Sequence, residues 1–324
     1  MANTSGAGTS WNLPDYIGNI YMVGSDNKTP FLNMMGGLEG GTVRLVGAQQ
    51  FAVSQPWDLA TAADSTGAIT ETASLGAQTA YDYVRGVSYN STQIVQRTIY
   101  LSYVKLSSVG QLTADTTTKL VDASEWTPAQ NEFDFQVNAN LKQIGKDLES
   151  TCFQGTYVQA TSAGVAGQSR GLEELCASNN TVGAASADLS KDLVNELLRT
   201  MLANGAEFEN PILFCNAFQK QQISNEYGYE PEHRNVGGVN IQQIMTDFCV
   251  LGVAYTPAIT TSTVVIADMS VCHPVWLPVP GKGILFYEEL GKLGAAEYGQ
   301  IFGQFGLDHG PGQYHGSITS LSTS

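Results

Sequence analysis

The stretch EWTPAQNEFDFQVNANLKQIGKDLESTCFQG, residues 125–155, contains the clearest periodic pattern in the sequence. Thr127 suits an N-cap, Pro128 suits the first helical position, and Gln130 completes a capping box. Apolar side chains then recur at spacings of 4, 4, 3, 4 and 4, at Phe133, Val137, Leu141, Ile144, Leu148 and Cys152. This spacing predicts an amphipathic helix over residues 128–153 with one core-facing stripe. Its opposite face is expected to meet solvent or a subunit boundary and carries Asn131, Asn138, Lys142, Lys146 and Glu149.

Upstream of that helix, residues 58–83 (DLATAADSTGAITETASLGAQTAYDY) form a long run of small side chains. No Lys or Arg lies between Arg44 and Arg85, and the charged residues between them are Asp58, Asp64, Glu71 and Asp82. The flanking residues 42–54 and 81–103 alternate between apolar and polar, as strands do. We therefore predict a long hairpin whose large apolar groups are Leu59, Ile69 and Leu75. A two-stranded hairpin is marginal in water, so another part of the chain or a neighbouring copy must cover it.

Residues 1–28 are rich in Gly, Ser, Thr and Asn and are expected to form an extended arm rather than a core element. The side chains that could anchor this arm are Trp11, Leu13, Tyr16, Ile17 and Ile20. Thr29 and Pro30 then predict a helical turn, which carries Phe31, Leu32, Met34 and Met35.

The C-terminal half mixes helical and strand-like segments without regular βαβ alternation, which indicates an α+β fold. The segment ADLSKDLVNELLRTMLANG, residues 187–205, predicts an amphipathic helix. The tail after Phe305 is rich in Gly, His and Ser and is expected to be a loose end.

The composition argues against several classes of protein. The net charge of -15, from 15 basic and 30 acidic residues, disfavours a surface that reads nucleic acid. The five cysteines lack CxxC spacing and are expected to be reduced thiols. We expect no secretory signal and no membrane association, because no run of apolar residues is long enough for a membrane span.

Three features of the sequence are candidate chemical sites. GQSRG, residues 167–171, matches the pattern of a hydrolase nucleophile elbow around Ser169, but the preceding residues are too small and polar for the buried strand that such an elbow needs. His233, His273, His309 and His315 lack the spacing of metal ligands. The VPGKGI run lacks the flanking residues of a phosphate loop. We therefore expect no catalytic, cofactor-binding or metal-binding residue.

The order of these elements resembles the major capsid proteins of tailed bacteriophages with the HK97-like fold, and four motifs resemble the SU10-like subfamily. The motifs are TPFLNMMGG, KQIGKDLESTCFQG, SRGLEEL and KLGAAEYGQIFGQFGLDHGPGQYHG. The resemblance implies an N-terminal arm at residues 1–44 and an extended loop (E-loop) hairpin at 45–100. It further implies a peripheral domain at 101–170 with the spine helix 128–153, an axial domain at 171–285, and a return to the peripheral domain with a tail at 286–324.

The resemblance also implies a function: a structural protein, not an enzyme, that forms the icosahedral head shell around double-stranded DNA without sequence-specific binding. The chain would assemble with itself into hexamers and pentamers in the virion, after synthesis in the host bacterial cytoplasm. Portal, separate scaffolding and decoration proteins are further expected partners. Residues implied at subunit contacts are Asp58, Leu59, Asp64, Ile69, Glu71 and Leu75 in the loop, and Trp11, Tyr16 and Ile20 in the arm. Residues 210–260 would approach the symmetry axis, and glycines at 40, 41, 47 and 86 suggest that loop and arm swing as DNA enters.

Three alternatives stay open at this point. A non-viral encapsulating shell would share the fold, a serine esterase would use Ser169, and a monomeric α+β protein would carry the hairpin as a floppy insertion.

Overall fold

A computed structural model describes residues 29–36, 43–53, 70–76, 86–103, 132–227, 243–292 and 294–323. Several predicted contact residues lie outside these ranges: Trp11, Tyr16, Ile20, Asp58, Leu59, Asp64 and Ile69. The side chain of Phe133 is likewise outside the described part of the structure.

Helices and strands are mixed along the chain, which confirms the α+β class. The helices are α1 (Pro30–Met34), α2 (Glu71–Ser74), α3 (Glu132–Gln154), α4 (Leu172–Ser178), α5 (Lys191–Ala203) and α6 (Ala217–Tyr227). The strands up to residue 255 are β1 (Arg44–Leu45), β2 (Gln50–Val53), β3 (Ser88–Ser91), β4 (Gln93–Ser102), β5 (Thr181–Gly183), β6 (Pro211–Cys215), β7 (Gln243–Met245) and β8 (Val250–Tyr255). The later strands are β9 (Val264–Asp268), β10 (His273–Trp276), β11 (Leu285–Glu289), β12 (Ala296–Asp308) and β13 (His315–Thr319).

The first sheet is built around the long strand β12. It has the order β1-β10-β12-β11, and β4 also pairs with β12. In β4 the buried Val95, Ile99 and Leu101 alternate with exposed residues, as expected for a sheet with one wet face. The predicted hairpin limb therefore ends at Ser91 rather than near residue 100, because the ten residues of β4 pair with β12 instead.

The second sheet has six strands in the order β5-β13-β9-β6-β8-β7. Strands β6 and β9 are buried along their whole length, and the buried face of α5 packs in the same core. The chain leaves this sheet after β9, enters the first sheet at β10, and returns as β13. The predicted boundary at residue 285 thus falls later than the change of sheet, and the tail predicted to be loose is instead paired between β5 and β9.

In α3, the burial of Leu141 and Glu149 differs from the prediction. Ile144 and Leu148 are 1% and 2% exposed, and Val137 packs against the core, but Leu141 is 37% exposed in the described subunit. Leu141 therefore lies at the margin of the buried face although Val137, one turn earlier, still packs against the core, so periodicity alone overestimated the width of the buried stripe. Glu149, expected on the opposite face, is 1% exposed because it binds the start of α1.

Two glycines allow the chain after α3 to pass close to the start of α4. The Gly171 N–H donates a 2.7 Å hydrogen bond to the Gly155 carbonyl oxygen. A Cβ atom at Gly155 would lie 2.3 Å from the Ser169 carbonyl oxygen, and one at Gly171 would lie 2.5 Å from the Phe153 carbonyl oxygen. Any side chain at either position would therefore push the two backbones apart.

Candidate assembly surfaces

The base of the predicted loop is a short two-stranded ladder that is fixed to the first sheet. β2 and β3 pair antiparallel from Gln50 opposite Ser91 to Val53 opposite Ser88. Phe51 and Val53 are buried in a small cluster with Val275 of β10. The apolar residues of β2 thus hold the ladder on the body of the subunit, and the chain between residues 53 and 88 leaves from that ladder.

Asn90 is a polar hub beneath this ladder, and its side chain is fully buried. Its amide nitrogen donates to the Leu307 carbonyl oxygen at 2.7 Å, and its amide oxygen accepts the N–H groups of Arg170 at 2.7 Å and Ser91 at 2.8 Å. One side chain therefore joins β3, the loop before α4 and the end of β12. Buried amides are stable only when paired in this way, so the hub fixes the position of the loop base.

Ser169 belongs to the same hub and does not have the geometry of a nucleophile. It is fully buried, and its hydroxyl oxygen accepts the N–H of Leu307 at 3.1 Å. It follows an isolated bridge between Val158 and Gln168 rather than a buried strand that turns sharply into a helix. The hydroxyl group thus accepts a hydrogen bond from the backbone, which is a structural role.

The described part of the distal loop is helical and exposed. Residues Glu71–Ser74 form the single turn α2, which the sequence did not predict, and the Ser74 hydroxyl donates to the Glu71 carbonyl oxygen at 2.7 Å. Glu71 is exposed, and Leu75 is 85% exposed. An isolated subunit therefore leaves a large apolar side chain in water at the loop.

The helix α1 docks on α3 through a buried carboxylate. The Glu149 carboxylate accepts the N–H groups of Phe31 at 3.1 Å and Leu32 at 3.0 Å, and the Thr256 hydroxyl at 3.1 Å. Burial raises the pKa of Glu149, while these three hydrogen bonds oppose the rise. The Phe31 ring lies 5.1 Å from the Phe153 ring, between centroids, so α1 is held by both polar and aromatic contacts.

A second exposed apolar patch lies at the edge of the second sheet. β7 is its terminal strand, and Met245 is 84% exposed, with Phe248 and Val250 also exposed beside it. The patch lies within residues 210–260, the region that the resemblance places near a symmetry axis. A strand edge that has no partner among the described residues and that carries apolar side chains is a surface that another chain can cover.

Two histidines and four cysteines are buried inside the subunit. His309 and His315 are fully buried and hydrogen-bonded to backbone carbonyl oxygens, so they do not lie in a loose, solvated tail, and burial lowers the pKa of both. All five cysteines are free thiols, and four of them are buried, at Cys152, Cys176, Cys215 and Cys272. Burial raises the pKa of each of these four thiols, so they stay protonated at neutral pH.

Within the described residues, no group of three or more metal-ligating side chains comes together. In the same part of the chain, none of the helices has the length and apolar character needed to cross a membrane.

Comparisons with solved structures show the fold. The capsid of cyanophage A-1(L) aligns with a TM-score of 0.61 at 11% identity, over 99% of this chain and 99% of that chain. The capsid of the native GTA particle aligns with a TM-score of 0.58 at 10% identity, over 95% of each chain. The holo-SrpI encapsulin from Synechococcus elongatus PCC 7942 aligns less well, with a TM-score of 0.52 at 10% identity, over 87% of this chain and 85% of that chain. The chain therefore has the HK97-like capsid fold.

Sequence comparison identifies the family. A comparison with curated proteins gives no significant match. The family described as SU10 major capsid protein matches residues 3–322, nearly the whole chain, in agreement with the fold and with the motifs quoted above. The chain belongs to the SU10 major capsid protein family.

Proposed function

We propose that this capsid protein assembles as hexamers and pentamers into the icosahedral head shell of a tailed phage, which encloses double-stranded DNA. The proposal rests on one observation: the base of the loop is fixed and buried, whereas the described distal part is exposed. Its base is fixed by the buried Asn90, while Leu75 further out is 85% exposed. A projection that is rigid at its root and uncovered further out is suited to lie on a neighbouring subunit.

The contacts between subunits would involve three surfaces. The loop would contribute Glu71 and Leu75 together with Asp58, Leu59, Asp64 and Ile69. The arm would contribute Trp11, Tyr16 and Ile20. The edge of the second sheet, with Met245, Phe248 and Val250, would meet its symmetry mates near the axis of a hexamer or pentamer, because those side chains are exposed in one subunit. Many modest contacts closed into a shell are much stronger together than any one of them.

The proposed domains follow the division of the described chain into two sheets, with boundaries shifted from those that the resemblance implies. The first sheet and α3 would form the peripheral domain, and the second sheet with α5 and α6 would form the axial domain. β13 returns to the second sheet, so the last strand would belong to the axial domain rather than to a tail.

The charge supports a shell that contains DNA without reading its sequence. A chain with a net charge of -15 has few cations to pair with phosphates. Portal, scaffolding and decoration proteins are proposed as further partners, and synthesis in the host cytoplasm is proposed as the origin of the subunits.

Replacement of the loop tests the function. Because Val53 lies directly opposite Ser88, a two-residue Asn-Gly turn can join them and keep the ladder. We expect this variant to fold with an unchanged melting temperature but to form no closed shells in negative-stain images, whereas the wild type forms them. A Gly/Ser loop of the original length is the matched control, and it should also fail, because the contacts rather than the length are missing. Closed shells from either variant would overturn the proposed role of the loop.

A compartment that encloses protein is a second candidate, since the fold is also similar to an encapsulin. The two candidate functions are distinguished by the contents of particles isolated from the cells that naturally produce them. Nuclease-protected DNA of genomic length supports the phage head, and protein cargo without DNA supports the compartment.

A further inference from the structure

The N-terminal half of α3 has an open face that no described residue covers fully. Asn138, Leu141 and Lys142 are exposed there. Gly145 lies on the same face, and a Cβ atom added to it would find no atom within 4 Å. Glycine inside a helix is less stable than alanine, and within the described subunit nothing requires it at this position.

This open face continues a surface that is already an interface. Leu141, Gly145, Glu149 and Phe153 are spaced four residues apart, so they form one row along the helix. α1 occupies the second half of the row through hydrogen bonds to Glu149 and ring contact with Phe153. The first half of the row, with Leu141 and Gly145, is only partly covered by the described residues.

We propose that residues 21–28 of the same chain, the segment directly before α1, bind this open half of the row. The start of α1 lies at Glu149, which is about 12 Å along the helix from Leu141 at 1.5 Å per residue. Four extended residues span about 13 Å, so the segment reaches Leu141 with residues to spare.

The side chains of the segment suit the surface. Tyr21, Met22 and Val23 supply apolar groups for Leu141, and Asp26 supplies a negative charge for the exposed Lys142. Gly145 would let a backbone approach the helix closely, which gives a reason for glycine at that position. The arm would therefore begin along its own α3 before any part of it reaches a neighbour.

Chemical protection tests the proposal, independently of shell formation. Leu141→Cys in a Cys249→Ser background is treated with a maleimide at a concentration below that at which shells form. We expect the full chain to react at least ten times more slowly than the same variant without residues 2–26. Asn225→Cys, exposed on α6, is the control and should react equally fast in both chains. Equal rates at Leu141→Cys would overturn the proposal and point to residues 104–131, which precede α3, or to no cover at all.

A disulfide identifies the chain that supplies the segment. Val23→Cys and Leu141→Cys placed on one chain should give an oxidised species that runs as a monomer. Two chains that carry one substitution each, assembled together, should give little dimer. A predominant dimer band would show that a neighbouring copy supplies the segment and would overturn the assignment to the same chain.

Discussion

The side-chain amide of Asn90 donates a 2.7 Å hydrogen bond to the carbonyl oxygen of Leu307, which lies 217 residues later in the sequence. This bond links the second limb of the loop to the end of the central strand of the first sheet. The loop base is therefore part of the buried structure, and any swing of the loop would pivot beyond Val53 and Ser88. Gly47 and Gly86, suggested as hinges from sequence, have open space around them and lack a positive φ, so neither requires glycine.

Replacement of Asn90 by alanine should destabilise the subunit strongly. It would leave the Leu307 carbonyl oxygen and the N–H groups of Ser91 and Arg170 without their partner in buried surroundings. We expect a loss of about 2 to 4 kcal/mol in the free energy of unfolding, measured by urea denaturation. Asn225→Ala, at an exposed helical position, is the control and should change stability by less than about 0.5 kcal/mol. A similar effect from both substitutions would show that the hub does not hold the loop base.

The sequence was most informative where structure is local. The spacing around Ile144 and Leu148 predicted α3, because helical periodicity depends on neighbours along the chain. The burial of Glu149 could not be predicted, since its partners at Phe31 and Leu32 lie more than 100 residues away. The alternation in β4 was recognised, but its partner β12 was not, because periodicity indicates a strand and not what it pairs with.

The prediction of a loose C-terminal tail was wrong for a different physical reason. β13 is rich in small and polar residues, which predicted a loose end, yet it lies inside a sheet. A Cβ atom at Gly316 would lie 2.8 Å from side-chain atoms of Leu197 and Met201 on α5. The helix packs so closely on the strand that even a Cβ atom at this position would displace Leu197 or Met201. Low hydrophobicity here reflects close packing rather than exposure.

Removal of the last strand should therefore prevent folding. A chain that ends at Tyr314 lacks β13, which pairs with β5 on one side and β9 on the other. We expect such a chain to be insoluble, as judged by the soluble fraction after expression. A chain that lacks only residues 323 and 324 should fold normally, because Thr323 is exposed. Soluble, cooperatively unfolding protein from the shorter chain would mean that β13 is dispensable.

Two positions on α3 should respond differently to the same truncation. Ile144→Ala should cost about 2 to 5 kcal/mol in the free energy of unfolding, as is typical of a fully buried Ile. Leu141→Ala should cost less than about 1 kcal/mol, because Leu141 is partly exposed and a covering arm can leave without unfolding the core. Equal losses in the free energy of unfolding, measured by thermal or urea unfolding, would show that Leu141 belongs to the buried stripe.

Acid should destabilise the subunit through His309. Its Nδ1 donates to the Gly310 carbonyl oxygen at 2.8 Å, and its Nε2 has no hydrogen-bond partner among the described residues. Burial lowers its pKa from 6.5 to about 4, and the neighbouring His315 adds to the lowering, while the hydrogen bond to Gly310 and the charge of Asp308 oppose it. Between these two values the unfolded chain binds a proton that the folded chain excludes, so stability is present above pH 6.5 and is lost as the pH falls toward 4.

This loss should be on the order of 3 kcal/mol for His309, at 1.36 kcal/mol for each unit of pKa difference. We expect His309→Gln to reduce the pH dependence of the free energy of unfolding by that amount between pH 6.5 and pH 4, as measured by urea denaturation at a series of pH values. His273→Gln should reduce it less, because His273 is only partly buried and its pKa is lowered less far. A His309→Gln curve parallel to that of the wild type would show that His309 is protonated as readily in the folded subunit as in the unfolded chain.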